Sequence, residues 1–60
     1  MVYYLINNES TNQQFRFTNK KELWKKRVEI ERLGNHWTVY MIRGNGDVIS
    51  NNPCLAYYPR

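Results

Sequence analysis

The stretch Asn19-Lys20-Lys21-Glu22-Leu23-Trp24-Lys25-Lys26-Arg27-Val28-Glu29-Ile30-Glu31-Arg32-Leu33-Gly34-Asn35 decides the fold, because it reads either as one helix or as the start of a hairpin. For the helix, Asn19 is a favourable N-cap, and Glu22 at the third helical position can reach back to the cap amide as in a capping box. Leu23 and Ile30, with Leu33 more peripheral, share a face at helical spacing, and Trp24 and Val28 form an i,i+4 pair beside it. Three opposite-charge pairs stand at i,i+4: Glu22–Lys26, Lys25–Glu29 and Arg27–Glu31. Each contributes about 0.2–0.5 kcal/mol. Gly34-Asn35 then supplies a C-terminal stop. For the hairpin, Val28 to Arg32 alternates with period two, and Leu33-Gly34-Asn35-His36 would be the turn. Arg27 and Glu31 also interrupt the apolar stripe of the helix. Cap, stop and length agree on the helix, and it is the reading adopted.

On the N-terminal side, residues 2–6 (Val-Tyr-Tyr-Leu-Ile) are β-branched, aromatic or aliphatic throughout and read as a strand. Residues 7–12 are a polar turn cluster in which Asn side chains tolerate left-handed backbone. Residues 13–18 alternate, with Phe15 and Phe17 on one side and Gln14, Arg16 and Thr18 on the other, as in a half-buried strand. On the C-terminal side, Trp37-Thr38-Val39-Tyr40-Met41-Ile42 is the strongest strand signal. Arg43-Gly44-Asn45-Gly46-Asp47 is a turn that accepts positive φ, and Val48-Ile49 returns as a short strand. Asn51-Asn52-Pro53 breaks the pattern, leaving an extended segment from Cys54 to Tyr58 lying against the sheet. The expected fold is therefore α+β: a small antiparallel sheet in the order β-β-α-β-β with one helix packed on one face. Residues 1–60 form a single small domain, and residues 51–60 form its extended C-terminal tail.

Composition bounds what such a domain can be. Sixty residues carrying +4 formal charge, 42 % hydrophobic content and 15 % aromatics are too apolar for a disordered tail. A chain of this size buries only about 60 % of the surface its unfolded form exposes, so its stability is marginal. One cysteine closes no internal bridge, and one Cys with one His fills no four-ligand zinc site, so no metal and no cofactor are expected. The apolar run at the start is too short to span a bilayer and lacks a basic flank or a cleavage site, so no membrane partner is expected. The opening Met1 and the lone Cys54 lead to the expectation of a complete, cytoplasmic gene product. Asn occurs eight times and Ala once, a bias expected of an AT-rich genome and, in so short a gene, of a phage or mobile element.

Catalytic chemistry finds little support. His36 has the unperturbed pKa for acid–base work, but it falls in a turn with no nearby carboxylate to orient it. It reads as a solvated turn residue. Cys54 lacks a visible electropositive setting and reads as a small buried hydrophobe. Gly44-Asn45-Gly46 lacks the Lys-Ser/Thr of a phosphate-binding loop and leads into a strand, so a hairpin turn accounts for it. No catalytic residue is assigned, and the chain is expected not to be an enzyme.

Basic and aromatic residues carry the remaining signal. Lys20, Lys21, Lys25, Lys26, Arg27 and Arg32 all lie on the helix, where Lys21, Lys25 and Arg32 share one outward side with Val28 close by. The sheet has large side chains on both faces, because β-strands with either register of residues 2–6 and 37–42 leave rings or aliphatics outside. One helix covers one face; the other must be covered by the tail, by a second copy of the chain, or by a partner. The leading expectation is a small non-enzymatic binding module that regulates or inhibits a host protein, an enzyme or regulator, through an exposed sheet face, with a homodimer as the other arrangement of that face. The residues expected to bind the partner are Tyr3, Arg16, Tyr40, Tyr57 and Tyr58, with Arg43 at the neighbouring turn, since Tyr and Arg are enriched at binding hot spots. The alternative is a nucleic-acid-binding module using Lys21, Lys25, Lys26 and Arg32 with a stacking tyrosine.

Overall fold

Helix, not hairpin, forms in the deciding stretch. The structure, a computed structural model, describes residues 1–57. Its elements are β1 (Val2–Asn8), β2 (Gln13–Phe17), α1 (Lys20–Arg32), β3 (Trp37–Arg43) and β4 (Val48–Ser50), followed by a 3-10 turn, Pro53–Ala56. The fold is the α+β arrangement read from the sequence, one helix on a four-stranded antiparallel sheet of order β2-β1-β3-β4. Both β2 and β3 run antiparallel to β1. They are therefore parallel to each other, and α1 carries the chain between them across the back of β1.

Both ends of α1 are closed by local chemistry. The Asn19 side chain accepts from the Lys21 amide at 2.8 Å. Glu22 does not complete the box; the Asn19 carbonyl takes the Leu23 amide at 3.2 Å. At the other end Gly34, at φ +76°, donates to the Glu31 carbonyl and Asn35 donates to the Ile30 carbonyl. This pair of bonds is the Schellman motif, whose left-handed residue costs glycine almost nothing. These bonds need helical carbonyls at Ile30 and Glu31, so with this end in place the period-two alternation of Val28 to Arg32 makes no strand.

Turn chemistry also sets the first hairpin. The Asn8 side-chain oxygen accepts from the Ser10 and Thr11 amides at 3.1 and 3.3 Å, and Asn12 takes the left-handed φ of 64°. Asn8 is itself buried, so this bonding satisfies a polar group that would otherwise cost about 1–3 kcal/mol. In the second hairpin Gly46, at φ +97°, donates to the Arg43 carbonyl and a bulge separates Met41 from Ile42.

The core lies between α1 and one face of the sheet. Ile6 and Val39 rise from adjacent strands to meet Leu23 and Ile30, and Ala56 closes the cluster. Tyr4, Phe15, Phe17, Trp37 and Leu55 pack around it. Burying each large aliphatic contributes about 1.5–3 kcal/mol. Arg27 shares the buried stripe, between Leu23 and Ile30, and is only 7 % exposed. Its Nε donates to the Ala56 carbonyl at 3.1 Å, it pairs with Glu31, and its guanidinium lies 4.1 Å from the centre of the Tyr57 ring. Trp37 meets Tyr57 edge-on at 6.3 Å and donates from Nε1 to Glu31 at 3.3 Å. The residue read as interrupting the apolar stripe thus ties the C-terminal segment to the helix.

Several expectations change in the structure. Pro53–Ala56 coils into a 3-10 turn where an extended segment is expected, because Asn52 caps the Cys54 amide and Pro53 begins the turn with its φ already set. Cys54 is exposed on that turn, not buried. Of the three expected ion pairs only Arg27–Glu31 forms; Lys26 reaches Glu29 at 2.6 Å instead. Leu33, the helix cap, is 68 % exposed and takes no part in the core, whereas Trp24 and Val28 stand beside the core stripe as expected, with Trp24 36 % exposed on the outer flank. No helix among the described residues is long and apolar enough to cross a membrane.

Candidate functional site

Strand pairing sorts the side chains into two faces. Tyr4, Ile6, Phe15, Phe17, Trp37, Val39 and Met41 point toward α1, and the alternate residues point away. On the outward face three rows cross the sheet: Gln14–Asn7–Thr38, Arg16–Leu5–Tyr40, and Tyr3–Ile42–Val48. The molecule is only 16 Å through its thin direction, which leaves room for one sheet and one helix. The 3-10 turn packs on β3 and α1, the helix side, so no described segment lies over these rows.

Leu5 and Ile42 are nevertheless only 8 % exposed. Their cover comes from neighbours in the same layer, since directly opposed residues on paired strands place their Cβ atoms about 4.5–5.5 Å apart. Tyr3, Tyr40 and Arg16 flank them, and the Arg16 guanidinium lies over the Tyr3 ring at 5.6 Å. Arg16 has no carboxylate partner among the described residues. At the far end of the face Thr38 donates to Glu9 at 2.5 Å. The Asn7 side-chain oxygen, in the same row as Thr38, is buried without a hydrogen-bond partner. The face thus combines two half-exposed phenols, an accessible guanidinium and two shielded aliphatics. Such a surface is stable in water yet has apolar area and directional polar groups to offer.

The structure brings together only part of the residue set expected from sequence. Tyr3, Arg16 and Tyr40 share the outward face. Tyr57 lies on the opposite side, against Arg27 and Trp37, and Arg43 is exposed at the end of β3 beside the second hairpin turn. Tyr58 lies outside the described residues. For the nucleic-acid alternative, Lys21, Lys25 and Arg32 are exposed on α1 as expected, but Lys26 turns to the sheet side, 4.5 Å from the Phe15 ring centre and bonded to Glu29. The Arg27–Glu31–Trp37–Tyr57 cluster escaped the sequence reading. Its one signal is the Leu23, Arg27, Ile30 spacing, which sets a cation in the middle of a buried stripe.

His36 is exposed; its amide donates to the Ser10 hydroxyl at 3.2 Å and its carbonyl accepts from Glu9 at 2.9 Å, so its backbone staples the first hairpin loop to the end of α1. Among the described residues no three of His, Cys, Asp and Glu gather closely enough to hold a metal ion. The chain matches no protein-family model, no curated protein and no solved structure.

Proposed function

We propose that this chain is a small non-enzymatic binding module that regulates or inhibits a cytoplasmic protein partner by laying the outward sheet face on it. The observation that carries the reading is the side taken by the C-terminal segment. Arg27 holds Ala56 and Tyr57 on the helix side, so Tyr3, Arg16 and Tyr40 are left uncovered by any described residue. Tyrosine and arginine bring large contact area with few rotatable bonds and a polar tip, which suits hot-spot positions. Arg16, stacked on Tyr3 and without an ion partner, favours a partner that presents a carboxylate at that end of the face.

Affinity capture from lysate of the native host, run beside sedimentation of the isolated chain, tests the reading. The wild-type chain retains a protein partner in stoichiometric amount, and Arg16→Ala combined with Tyr40→Ala loses it while the circular dichroism of the fold is kept. Retention by the folded double variant would show that another surface docks. A dimer in sedimentation that dissociates on the same substitutions would assign the face to a second copy of the chain.

A further inference from the structure

The outer side of α1 presents a second surface, on the other side of the molecule from the open sheet face. Lys21, Lys25 and Arg32 stand along it, exposed and without an ion partner among the described residues. Of the three carboxylates on the helix, Glu29 is engaged by Lys26 and Glu31 by Arg27, while Glu22 is exposed without an ion partner among the described residues; six Lys/Arg against three Glu leave the helix a net charge of +3. Beside these cations a shallow groove of about 410 Å³ runs between Trp24 and Leu33, floored by Val28 and flanked by Lys25, Arg32 and the Lys26-paired Glu29. Trp24 is the more informative wall: a large indole 36 % exposed on the helix flank, outside the core cluster that Leu23 and Ile30 join.

We infer that this ridge is a binding surface for single-stranded nucleic acid, with Trp24 stacking on an unpaired base while Lys21, Lys25 and Arg32 hold phosphates. The cations extend over about 16 Å of helix axis, which suits a polyanion better than one acidic side chain. An aromatic plane beside a cationic track is the combination that binds single strands, because every base offers a π-face once it is unstacked. A duplex keeps its bases stacked and has no use for the indole. An anionic membrane surface fits less well: Lys21 and Arg32 crown the ridge and Trp24 and Val28 lie on one flank, so no broad apolar strip is available to sink into lipid. This surface shares no residue with the open sheet face, so either assignment can fail without the other.

Fluorescence anisotropy of a labelled oligothymidylate of about 15 nucleotides tests the inference. Binding is expected at about 50 mM salt, weakening toward about 200 mM with a log–log slope near −2 if all three cations contact phosphate. Trp24→Ala weakens binding at least about fivefold and Trp24→Phe restores most of it. Lys25→Gln, at an exposed position with the fold checked by circular dichroism, flattens the salt slope by about 0.7. The inference is overturned by absence of binding at low salt, by affinity unchanged in Trp24→Ala, or by loss on Tyr40→Ala in place of Trp24→Ala, which would move the strand to the sheet. Binding to vesicles rich in anionic lipid without binding to the oligonucleotide would overturn it in favour of a membrane surface.

Discussion

The two faces of the sheet come from the same strands, often from adjacent residues, and solve the problem of apolar exposure differently. Toward the helix, Ile6 and Val39 are almost wholly dry because a second layer, α1 with the 3-10 turn, lies over them. On the other side Leu5 and Ile42 are shielded nearly as well with no second layer, by tyrosines and an arginine spread beside them. A layer of aliphatics requires a rigid cover; a layer of amphipathic side chains can supply its own, since a phenol or guanidinium keeps one end in water. The first solution stabilises the fold. The second leaves a surface that a partner can use.

Substitutions can break or sharpen this contrast, and the largest effect belongs to the covered face. Leu23→Ala removes a fully buried side chain from the cluster and is expected to cost about 2–5 kcal/mol, measured by urea denaturation. For so small a domain that approaches the whole stability, and a loss below about 1 kcal/mol would mean that α1 is not the essential cover. Next comes Arg27→Ala, which removes the bond to the Ala56 carbonyl, the pairing with Glu31 and the contact with Tyr57. It is expected to cost about 1–3 kcal/mol and to speed hydrogen exchange at the Leu55 and Tyr57 amides selectively. Uniform acceleration over the whole chain would show that Arg27 supports the core and not the C-terminal segment in particular. The smallest effect is expected for Arg16→Ala on the open face. Its unfolding midpoint should stay within about 0.5 kcal/mol of wild type while partner capture falls, because an exposed, unpaired arginine contributes little to folding. A stability loss as large as that of Arg27→Ala would mean that the fold depends on the cover Arg16 gives Leu5.

How much of this was legible in the sequence varies with the range of the interaction involved. Asn19 and Gly34-Asn35 marked the helix ends because capping is settled within a few residues. Phe15 and Phe17 showed their common side because a strand's alternation is equally local. Trp24 was legible as lying beside the core stripe with Val28, but how far it would be exposed was not, because the rotation of α1 on the sheet decides that. Arg27 was misread for a related reason. A guanidinium in a buried stripe is unfavourable until distant residues, the Ala56 carbonyl and the Tyr57 ring, arrive to receive it. The Tyr3, Arg16, Tyr40 trio was legible as residue types, but its separation from Arg43 and Tyr57 was not.

The segmentation into strands, helix and turns, and hence the α+β class, follows from the chain's local chemistry, since caps, periodicity and positive-φ residues act over a few positions. Tertiary packing alone decided which sheet face is covered and on which side the C-terminal segment lies. Both β1 and β3 carry apolar side chains on their two faces, so alternation makes the faces distinct without ranking them. The ranking is made when Leu23 and Ile30 settle on Ile6 and Val39 and Arg27 finds its partners across 29 residues of chain, interactions that no short window of sequence contains.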